Sequence, residues 1–337
     1  MKHSARYGIW ILAAVLPLVL GCEGGFSHLA SMEGAFLSSA EATFERTLSV
    51  SGPVQLNVST GSGSIKIRPG SSGTVRVTGE IRARSDSQQG AEDKARYIAA
   101  NPPIEQNGNI IRIGHIDREE YRRNVSISYT VETPPDTKVD AHTGSGNQEI
   151  EGVRGTVEAS TGSGNLRITD IGDEVHAETG SGSIEVASTG RGLRASTGSG
   201  NIRGSRISGS VKLSTGSGEI SVEQVGEGDA QLETGSGSIE ASGVKGALRA
   251  ETGSGNINVG GTPRGNWSVD TGSGGVTLRL DSESSCDLDA KASSGHVSIK
   301  QTLSQTEIVS RREIRGKIRG GGPVVHVRTS SGNISID

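Results

Sequence analysis

The sequence is poor in aromatic residues, which make up 3% of its 337 positions, and apolar residues reach only 31%. Aromatic and large aliphatic side chains supply most of the buried core and line most ligand pockets. Collagen is excluded, because the 51 glycines do not recur every third residue and there are only 9 prolines. Disorder fits poorly, because the net charge is only −4 and Val and Ile recur regularly. The composition therefore disfavours an ordinary enzyme and indicates a repetitive fold with a thin core.

Cysteine is almost absent, and one of the two cysteines ends an export signal. Lys2 and Arg6 precede an apolar run from Gly8 to Leu20 that is too short to span a bilayer. The run ends in Val19-Leu20-Gly21-Cys22, which resembles a bacterial lipobox. We predict a lipoprotein signal peptide over residues 1–21 and lipidation of Cys22 as the new N-terminus. The alternative is a signal peptide followed by a chance cysteine.

The same region predicts where the protein resides. The chain is exported and attached to the membrane of the cell envelope through the lipid on Cys22, and Glu23 at the next position favours the outer membrane. Residues 22–43, rich in Gly, Ser and Ala, predict a flexible tether. With Cys22 lipidated no intrachain disulfide can form, so Cys286 is either a small packing residue or an unpaired loop thiol. The acidic balance gives no reason to expect nucleic acid as a partner.

A repeat dominates the remainder. Thr-Gly-Ser-Gly, the corner motif, occurs verbatim at Thr60, Thr143, Thr161, Thr179, Thr197, Thr215, Thr234, Thr252 and Thr271, with degenerate copies at Ala292 and Thr329. From Thr143 to Thr271 the copies are 18 or 19 residues apart, which is typical of a solenoid. The structural corner residues assigned in the first three of these copies are Thr143, Gly144, Ser145, Gly146, Thr161, Gly162, Ser163, Gly164, Thr179, Gly180, Ser181 and Gly182.

Each repeat predicts two short strands joined at the corner motif. Runs in which apolar and polar residues alternate, such as 157–161 and 166–168, precede and follow the motif. One face of each strand is therefore predicted to be buried and the other exposed to solvent. Glycine suits a corner that is too sharp for a Cβ. The predicted fold is all-β: a single-stranded parallel β-helix, or β-solenoid, of about 18 residues per coil over residues 136–337. It also has a small α+β N-terminal cap over residues 44–135.

The repeat also predicts which side chains stack from coil to coil. The corner threonines should form one ladder, with each hydroxyl bonded to the neighbouring coil. Gln148 replaces an expected Ile or Leu and is interpreted as the seam between cap and solenoid. One outward column reads Arg167, Glu185, Arg203, Ser221 and Glu240, a self-compatible charged face. One inward column holds Val139, Val157, Val175, Leu193, Val211, Ala230, Leu248, Trp267, Leu288 and Val325, in that order. The second holds Ala141, Ala159, Ala177, Ala195, Leu213, Leu232, Ala250, Val269, Ala290 and Val327.

The N-terminal cap has mixed signals. A solitary copy of the motif at Thr60 predicts the first rung of the ladder. Residues 88–100 predict a helix that ends before Pro102, and Asn107-Gly108 between apolar runs predicts a hairpin. A solenoid needs such a cap because its first rung must be covered.

Three segments carry a family resemblance: the solenoid entry TPPDTKVDAHTGSGN, the repeated TGSGxI coils and the closing IRGKIRGGGPVVHVRTSSGNISI. Over residues 44–337 they resemble the bacterial putative-adhesin family, a domain of unknown function related to the heads of autotransporter adhesins. The resemblance implies a β-helical exported or envelope-attached protein. It implies no catalytic residue.

A search for chemistry finds no catalytic, cofactor-binding or metal-binding residue to assign. The nearest acidic candidates are Asp281, Asp287 and Asp289, but Asp270 is expected to pair with Lys291 on the next rung. No rung is expected to group three acids on neighbouring outward positions. The seven histidines lack metal-site spacing, and the turns lack the carboxylates of calcium-binding repeats. Trp267 is interpreted as a plug in a widened coil, with a ligand contact as the alternative.

The sequence therefore favours a non-enzymatic surface lipoprotein, an adhesin or scaffold whose solenoid face binds an unknown surface protein or glycan. The second hypothesis is self-assembly, because Asp337 ends the last strand and an open β-helix end could stack on another. Against it, the charged insertion 301–319 could cover that end. A polysaccharide-acting β-helix enzyme is the remote third hypothesis.

Overall fold

The computed structural model describes residues 37–337, which form one compact unit. The predicted signal peptide, Cys22 and most of the predicted tether lie outside the described residues. The N-terminal elements are β1 (Ser38–Ser49), β2 (Val54–Ser62), β3 (Ile65–Pro69), β4 (Thr74–Ser85), α1 (Gln88–Ala100), β5 (Ile104–Asn107), β6 (Ile110–Ile113), a short 3₁₀ turn (Glu119–Tyr121) and β7 (Val125–Thr133).

The repeats supply alternating strands, each pair joined through a corner motif. They are β8 (Thr137–Ser145), β9 (Gln148–Glu151), β10 (Val157–Ser163), β11 (Leu166–Ile171), β12 (Glu174–Ser181), β13 (Ile184–Thr189), β14 (Gly192–Ser199), β15 (Ile202–Ile207), β16 (Ser210–Ser217), β17 (Ile220–Gln224), β18 (Ala230–Ser236), β19 (Ile239–Val244), β20 (Leu248–Ser254), β21 (Ile257–Gly261), β22 (Trp267–Ser273), β23 (Val276–Leu280), β24 (Cys286–Ser294) and β25 (Val297–Ile299). The chain closes with β26 (Leu303–Val309), β27 (Glu313–Ile318), β28 (Val324–Ser331) and β29 (Ile334–Ile336).

These strands form two long sheets. The 15-stranded sheet has the order β26-β27-β24-β28-β22-β20-β18-β16-β14-β12-β10-β8-β2-β6-β5. The 14-stranded sheet has the order β1-β4-β7-β3-β9-β11-β13-β15-β17-β19-β21-β23-β29-β25. Strands on either side of the corner motif enter different sheets, and each pairs in parallel with its equivalent in the next repeat. The protein is nearly all-β, with the long parallel sheets of a β-solenoid, as predicted.

The register places equivalent residues of successive repeats side by side. Val157 pairs with Val175 and Thr161 with Thr179, and the same pairing continues along both sheets. All residues predicted in the two inward columns are buried, including Trp267 at 1% exposure. Both columns lie on the inner face of the 15-stranded sheet, where most strands place a small Ala beside a Val or Leu, so close packing leaves little room for aromatic rings.

The corner threonines form the predicted hydrogen-bonded ladder. From Thr143 onward each threonine hydroxyl donates to the carbonyl of the last corner glycine on the preceding rung, as in Thr161 Oγ1 to Gly146 O at 3.2 Å and Thr179 Oγ1 to Gly164 O at 3.0 Å. A Cβ on Gly182 would come closer than 3.0 Å to that same Gly164 carbonyl, and Gly182 has φ +157°. Glycine is therefore required there by close approach of the two rungs as well as by backbone conformation.

A second ladder lies just beyond each corner. Where asparagine follows the motif, its side-chain oxygen accepts the backbone N–H of the next rung, as in Asn165 N to Asn147 Oδ1 and Ser183 N to Asn165 Oδ1, both at 2.9 Å. This satisfies a polar backbone group at a position where the chain turns between the sheets.

The C-terminal strands correct the predicted order of rungs. Val325 of β28 pairs with Trp267 of β22 on one side and with Leu288 of β24 on the other. The last rung in sequence thus lies inside the ladder, and the expected open end at Asp337 does not exist. β27 pairs antiparallel with β24 and β26 with β27, so the 301–319 insertion covers the edge of the 15-stranded sheet.

The predicted elements of the N-terminal region are present. β2 and β3 pair with β8 and β9 as the first rung, α1 spans Gln88–Ala100, and β5 and β6 form an antiparallel hairpin around Asn107-Gly108. The predicted tether is too long, because β1 begins at Ser38 and pairs with β4. Alternating half-buried residues in β1 hold residues 38–43 in the folded unit.

Gln148 is an inward residue of the ladder, on the rung where the predicted cap and the predicted solenoid meet. It pairs between Ile65 and Leu166 and is 1% exposed. Its amide nitrogen donates to the carbonyls of Ser160 at 2.6 Å and Ala141 at 3.3 Å, so a polar side chain is tolerated in the core by bonding to backbone.

Corner glycines should be far more sensitive to a methyl group than other glycines of the ladder. We expect Gly182→Ala to lower the free energy of unfolding by at least about 2 kcal/mol, because it adds both backbone strain and a clash with Gly164. Gly260→Ala is the control, since its Cβ would meet nothing closer than 3.8 Å and its φ is not positive. Urea unfolding of the full chain checks this, and equal losses for both variants would contradict it.

Removing residues 324–337 should unfold β24 and β25 as well as deleting β28 and β29. These residues supply β28 and β29, which connect β24 and β25 to the remaining ladder. We expect limited proteolysis of the truncated chain to digest residues 281–323 and to spare the rungs before them. In a control that replaces 301–319 with a short linker, residues 281–300 should stay protected. Protection of 281–323 in the truncated chain would refute the role given to the inserted rung.

Candidate functional site

The outer face of the 15-stranded sheet carries two columns of outward side chains in register from rung to rung, at about 4.8 Å per step. The corner column consists of the residue directly before each corner threonine or its equivalent: His142, Ser160, Glu178, Ser196, Ser214, Glu233, Glu251, Asp270, Arg328 and Lys291. The central column lies two residues earlier: Asp140, Glu158, His176, Arg194, Lys212, Gln231, Arg249, Ser268, His326 and Asp289.

Three acids on successive rungs are neighbours in the corner column, a grouping that the search within single rungs did not find. Glu233 pairs with Glu251, and Glu251 pairs with Asp270. Arg249 of the central column lies against two of them, with Nη2 2.6 Å from a Glu251 oxygen and Nε 3.9 Å from a Glu233 oxygen. The sequence did carry the signal, because each acid directly precedes a corner threonine. It appears only when the repeats are aligned on that threonine.

An open groove of about 770 Å³ runs along this part of the face, between the corner threonines and the corner column. Its acidic part is formed by Glu233, Glu251 and Asp270, and its basic part by Arg328 and Lys291. The groove therefore offers both charges to a ligand that lies along the ladder.

The predicted ion pair between Asp270 and Lys291 is wrong, because the inserted strand β28 separates their rungs. Asp270 faces Arg328, and Arg328 faces Lys291. Asp270 accepts the Ser268 hydroxyl at 2.8 Å, while Lys291 lies 3.5 Å from a Glu313 oxygen.

Asp289 is the centre of a charged cluster that joins three strands. Its carboxylate is 2.8 Å from Arg328 Nη2 of β28, 3.2 Å from Arg315 Nε of β27 and 3.3 Å from His326 Nδ1. The hydrogen bond from Arg328 is the main reason that the pKa of Asp289 lies below its ordinary value. The carboxylate is 24% exposed. This geometry holds the β26–β27 hairpin and the inserted rung together.

The other acidic candidates also have structural partners. Asp281 accepts the Thr262 hydroxyl at 2.6 Å, and Asp287 accepts the Gly322 backbone N–H at 3.3 Å. The three aspartates that sequence analysis singled out are therefore not gathered around one reacting position.

The remaining candidate groups are engaged in packing or in pairs. Trp267 donates its indole N–H to the Gly246 carbonyl at 3.0 Å from within the core, as expected of a plug. Cys286 is fully buried, and burial raises the pKa of its thiol to about 11. Among residues 37–337 no group of three His, Cys, Asp or Glu side chains could hold a metal ion. In the same range no helix has the length and hydropathy needed to cross a bilayer.

The acidic groove, the Asp289 cluster and the inserted rung all fall in the C-terminal half of the chain, which is also the part that matches a known family. Residues 170–337 match the Toastrack DUF4097 family. The Toastrack match confirms the predicted resemblance to a domain of unknown function for this half. For residues 44–169 the resemblance stays a prediction.

Solved structures similar to the chain are named as adhesion or lipid-binding proteins. A putative cell adhesion protein of Clostridium sporogenes shows 12% identity over 88% of this chain and 99% of its own, with a TM-score of 0.23. A putative adhesin of Bacteroides fragilis shows 11% identity over 88% and 97%, with a TM-score of 0.27. A putative lipid binding protein of Parabacteroides distasonis shows 13% identity over 88% and 96%, with a TM-score of 0.36. No curated protein matches the chain. TM-scores below 0.5 do not establish a common fold, so the Toastrack match is the comparison that bears on this chain.

Loss of the Asp289 charge should loosen the end of the Toastrack segment. We expect Asp289→Asn to lower the free energy of unfolding at pH 7 by about 1–2 kcal/mol, because hydrogen bonds to a partly buried charge are lost. Since folding lowers the pKa of Asp289 from 3.8, its contribution is present above pH 4 and is lost as pH falls through the folded-state pKa. The difference from wild type should therefore shrink at pH 3.

The control is Asp136→Asn, which removes a single exposed pair with Arg154 at 3.3 Å and should cost at most about 0.5 kcal/mol. Urea unfolding at the two pH values measures both variants. A loss for Asp289→Asn that is equal at pH 3 and pH 7 would mean that the side chain acts by packing.

Proposed function

We propose that this protein is a non-enzymatic lipoprotein of the cell envelope, an adhesin-like scaffold whose solenoid face binds a surface ligand. The observation that carries the proposal is the parallel ladder that continues from β2 through β28 to β24, which holds outward side chains at fixed positions along one sheet. Such a surface suits recognition of an extended ligand, because the positions of its charges are set before binding.

Binding fits the outer face better than catalysis. The carboxylates Glu233 and Glu251 share the Arg249 guanidinium, as in a charge-neutralised ladder. Asp289 is held by two arginines, and Asp281 and Asp287 serve neighbouring loops. An enzyme needs an acid, base or nucleophile aimed at a common reacting atom. The groove is open and extended, which suits a ligand bound at several points along its length.

The anchor and the cap complete the proposal. The lipobox at Cys22 supplies the lipid that attaches the protein to the outer membrane, and the chain before β1 separates the folded unit from it. The 18-residue coils form the rod, and the N-terminal region covers the first rung through β7, which pairs with β3, and through β6, which pairs with β2. The Toastrack match is compatible with this role, since the family carries no assigned activity.

Deleting the gene from the encoding bacterium tests the function. We expect attachment to surfaces, or envelope integrity, to fall and to be restored by the full chain. Cys22→Ser should not restore it, because the protein would leave the membrane fraction and lose incorporation of a labelled fatty acid. Cys286→Ser, which removes the other cysteine, should keep both. A deletion strain with unchanged attachment and unchanged envelope integrity would refute the proposal.

A further inference from the structure

Two adjacent rungs of the central column carry cations with no counter-ion. Arg194 and Lys212 are paired in register on β14 and β16, about 4.8 Å apart. Both side chains are exposed, and neither makes an ion pair within 4.0 Å in the part of the chain that the structure describes. Like charges on directly opposite positions of neighbouring strands destabilise a sheet. The pair therefore costs stability that other parts of this face avoid.

In the corner column, neighbouring side chains of like charge have an oppositely charged side chain against them. Glu233 and Glu251 are adjacent, and Arg249 lies against both. Arg328 is adjacent to a lysine and is held by Asp289 at 2.8 Å. Arg194 and Lys212 lack any such partner, although the same ladder could place an acid beside them.

Three of the acids around the two cations already accept hydrogen bonds, and Glu174 lines the same groove. Glu178 accepts from His176 Nε2 at 2.9 Å, and Asp229 accepts the Ala247 backbone N–H at 2.8 Å. Glu233 accepts the Gln231 amide at 2.7 Å. The two cations are thus available to an external anion.

The residues around Arg194 and Lys212 leave space for an anionic ligand. The flanking outward positions on the same two strands hold only small residues: Gly192, Ser196, Ser210 and Ser214. A shallow groove of about 460 Å³ follows the central column here and continues to Arg249. Its lining carries three cations, Arg194, Lys212 and Arg249, together with the Ser210 hydroxyl and two carboxylates, Glu174 and Asp229, and it runs along the ladder.

We infer that Arg194 and Lys212 form the cationic subsite of a groove that binds a carboxylate-bearing polysaccharide. This inference rests on the proposed function, because it names the ligand class of the same face. Carboxylates spaced along a sugar chain can meet the two cations, while neighbouring serine hydroxyls bond to sugar hydroxyls.

Other anionic partners fit less well. A nucleic acid carries dense, uniform charge and would run into the acidic corner column that begins at Glu233, two rungs beyond Arg194. An anionic membrane is bound by clusters of several Lys and Arg side chains, often with inserted apolar residues, and this site has only a pair of adjacent cations. The large apolar residues exposed within residues 37–337 are Leu37, Val225, Val309 and Val324, and none belongs to the central or corner column.

The test measures binding of the full chain, purified in detergent, to polygalacturonate and hyaluronate, with neutral dextran as the reference polymer. We expect binding to at least one acidic polymer, weakened by added salt because the contacts are ionic. Arg194→Ser/Lys212→Ser should weaken it at least tenfold. Arg203→Ser/Arg279→Ser removes two exposed cations from the other sheet and should change it less than twofold. Arg194→Gln/Lys212→Gln repeats the test if the serine variant folds poorly.

The inference is overturned if wild type binds neither acidic polymer, if it binds dextran equally well, or if the Arg194/Lys212 variant binds like wild type. A DNA oligomer and anionic vesicles serve as further probes. The inference is also overturned if either binds more tightly than the acidic polymers and loses that binding in the Arg194/Lys212 variant. If attachment of the deletion strain falls while acidic polymers do not bind, only this inference fails. If attachment and envelope integrity are unchanged, the proposed function fails.

Discussion

The close approach of backbones at the glycine corners is the constraint on which the ladder depends. The last glycine of each corner motif packs so tightly on the glycine carbonyl of the preceding rung that a Cβ has no room. The same carbonyl also accepts the hydroxyl of the corner threonine on the following rung. One short motif therefore fixes both the spacing between rungs and the register of their strands. A shifted strand would break the contact and also move its apolar side chains to the solvent.

Function follows from that fixed register. Because every rung is placed by its corner, the identity of a surface charge is set by one sequence position and its location by the repeat. The outer face of the 15-stranded sheet can thus change from basic at Arg194 to acidic at Glu251 and back to basic at Arg328 without any change in backbone. The core meanwhile stays narrow, with Val, Leu and Ala facing each other, and it accepts Trp267 only at one rung.

Much of the fold could be predicted from the sequence, because period, alternation and corner glycines are local signals. The helix over residues 88–100, the hairpin at Asn107-Gly108 and both inward columns follow from such signals. The position of the last rung does not, since a step of 37 residues to Thr329 is compatible with strands in simple sequence order. The partners of Asp270 and Lys291 depended on that order. The burial of Gln148 could not be predicted, because the backbone carbonyls that accept from its amide are brought together only by the fold.

The inserted C-terminal rung has a consequence for the order in which the protein can be made. Strands β8 to β23 can settle one on another as the chain emerges, since each has one neighbour in its sheet that is already synthesised. β24 and β25 cannot take their final places until residues 324–337 exist, because those residues lie between them and the finished ladder. Assembly of this end is therefore not vectorial: its completion waits for the last stretch of the polypeptide, which closes the stack from within.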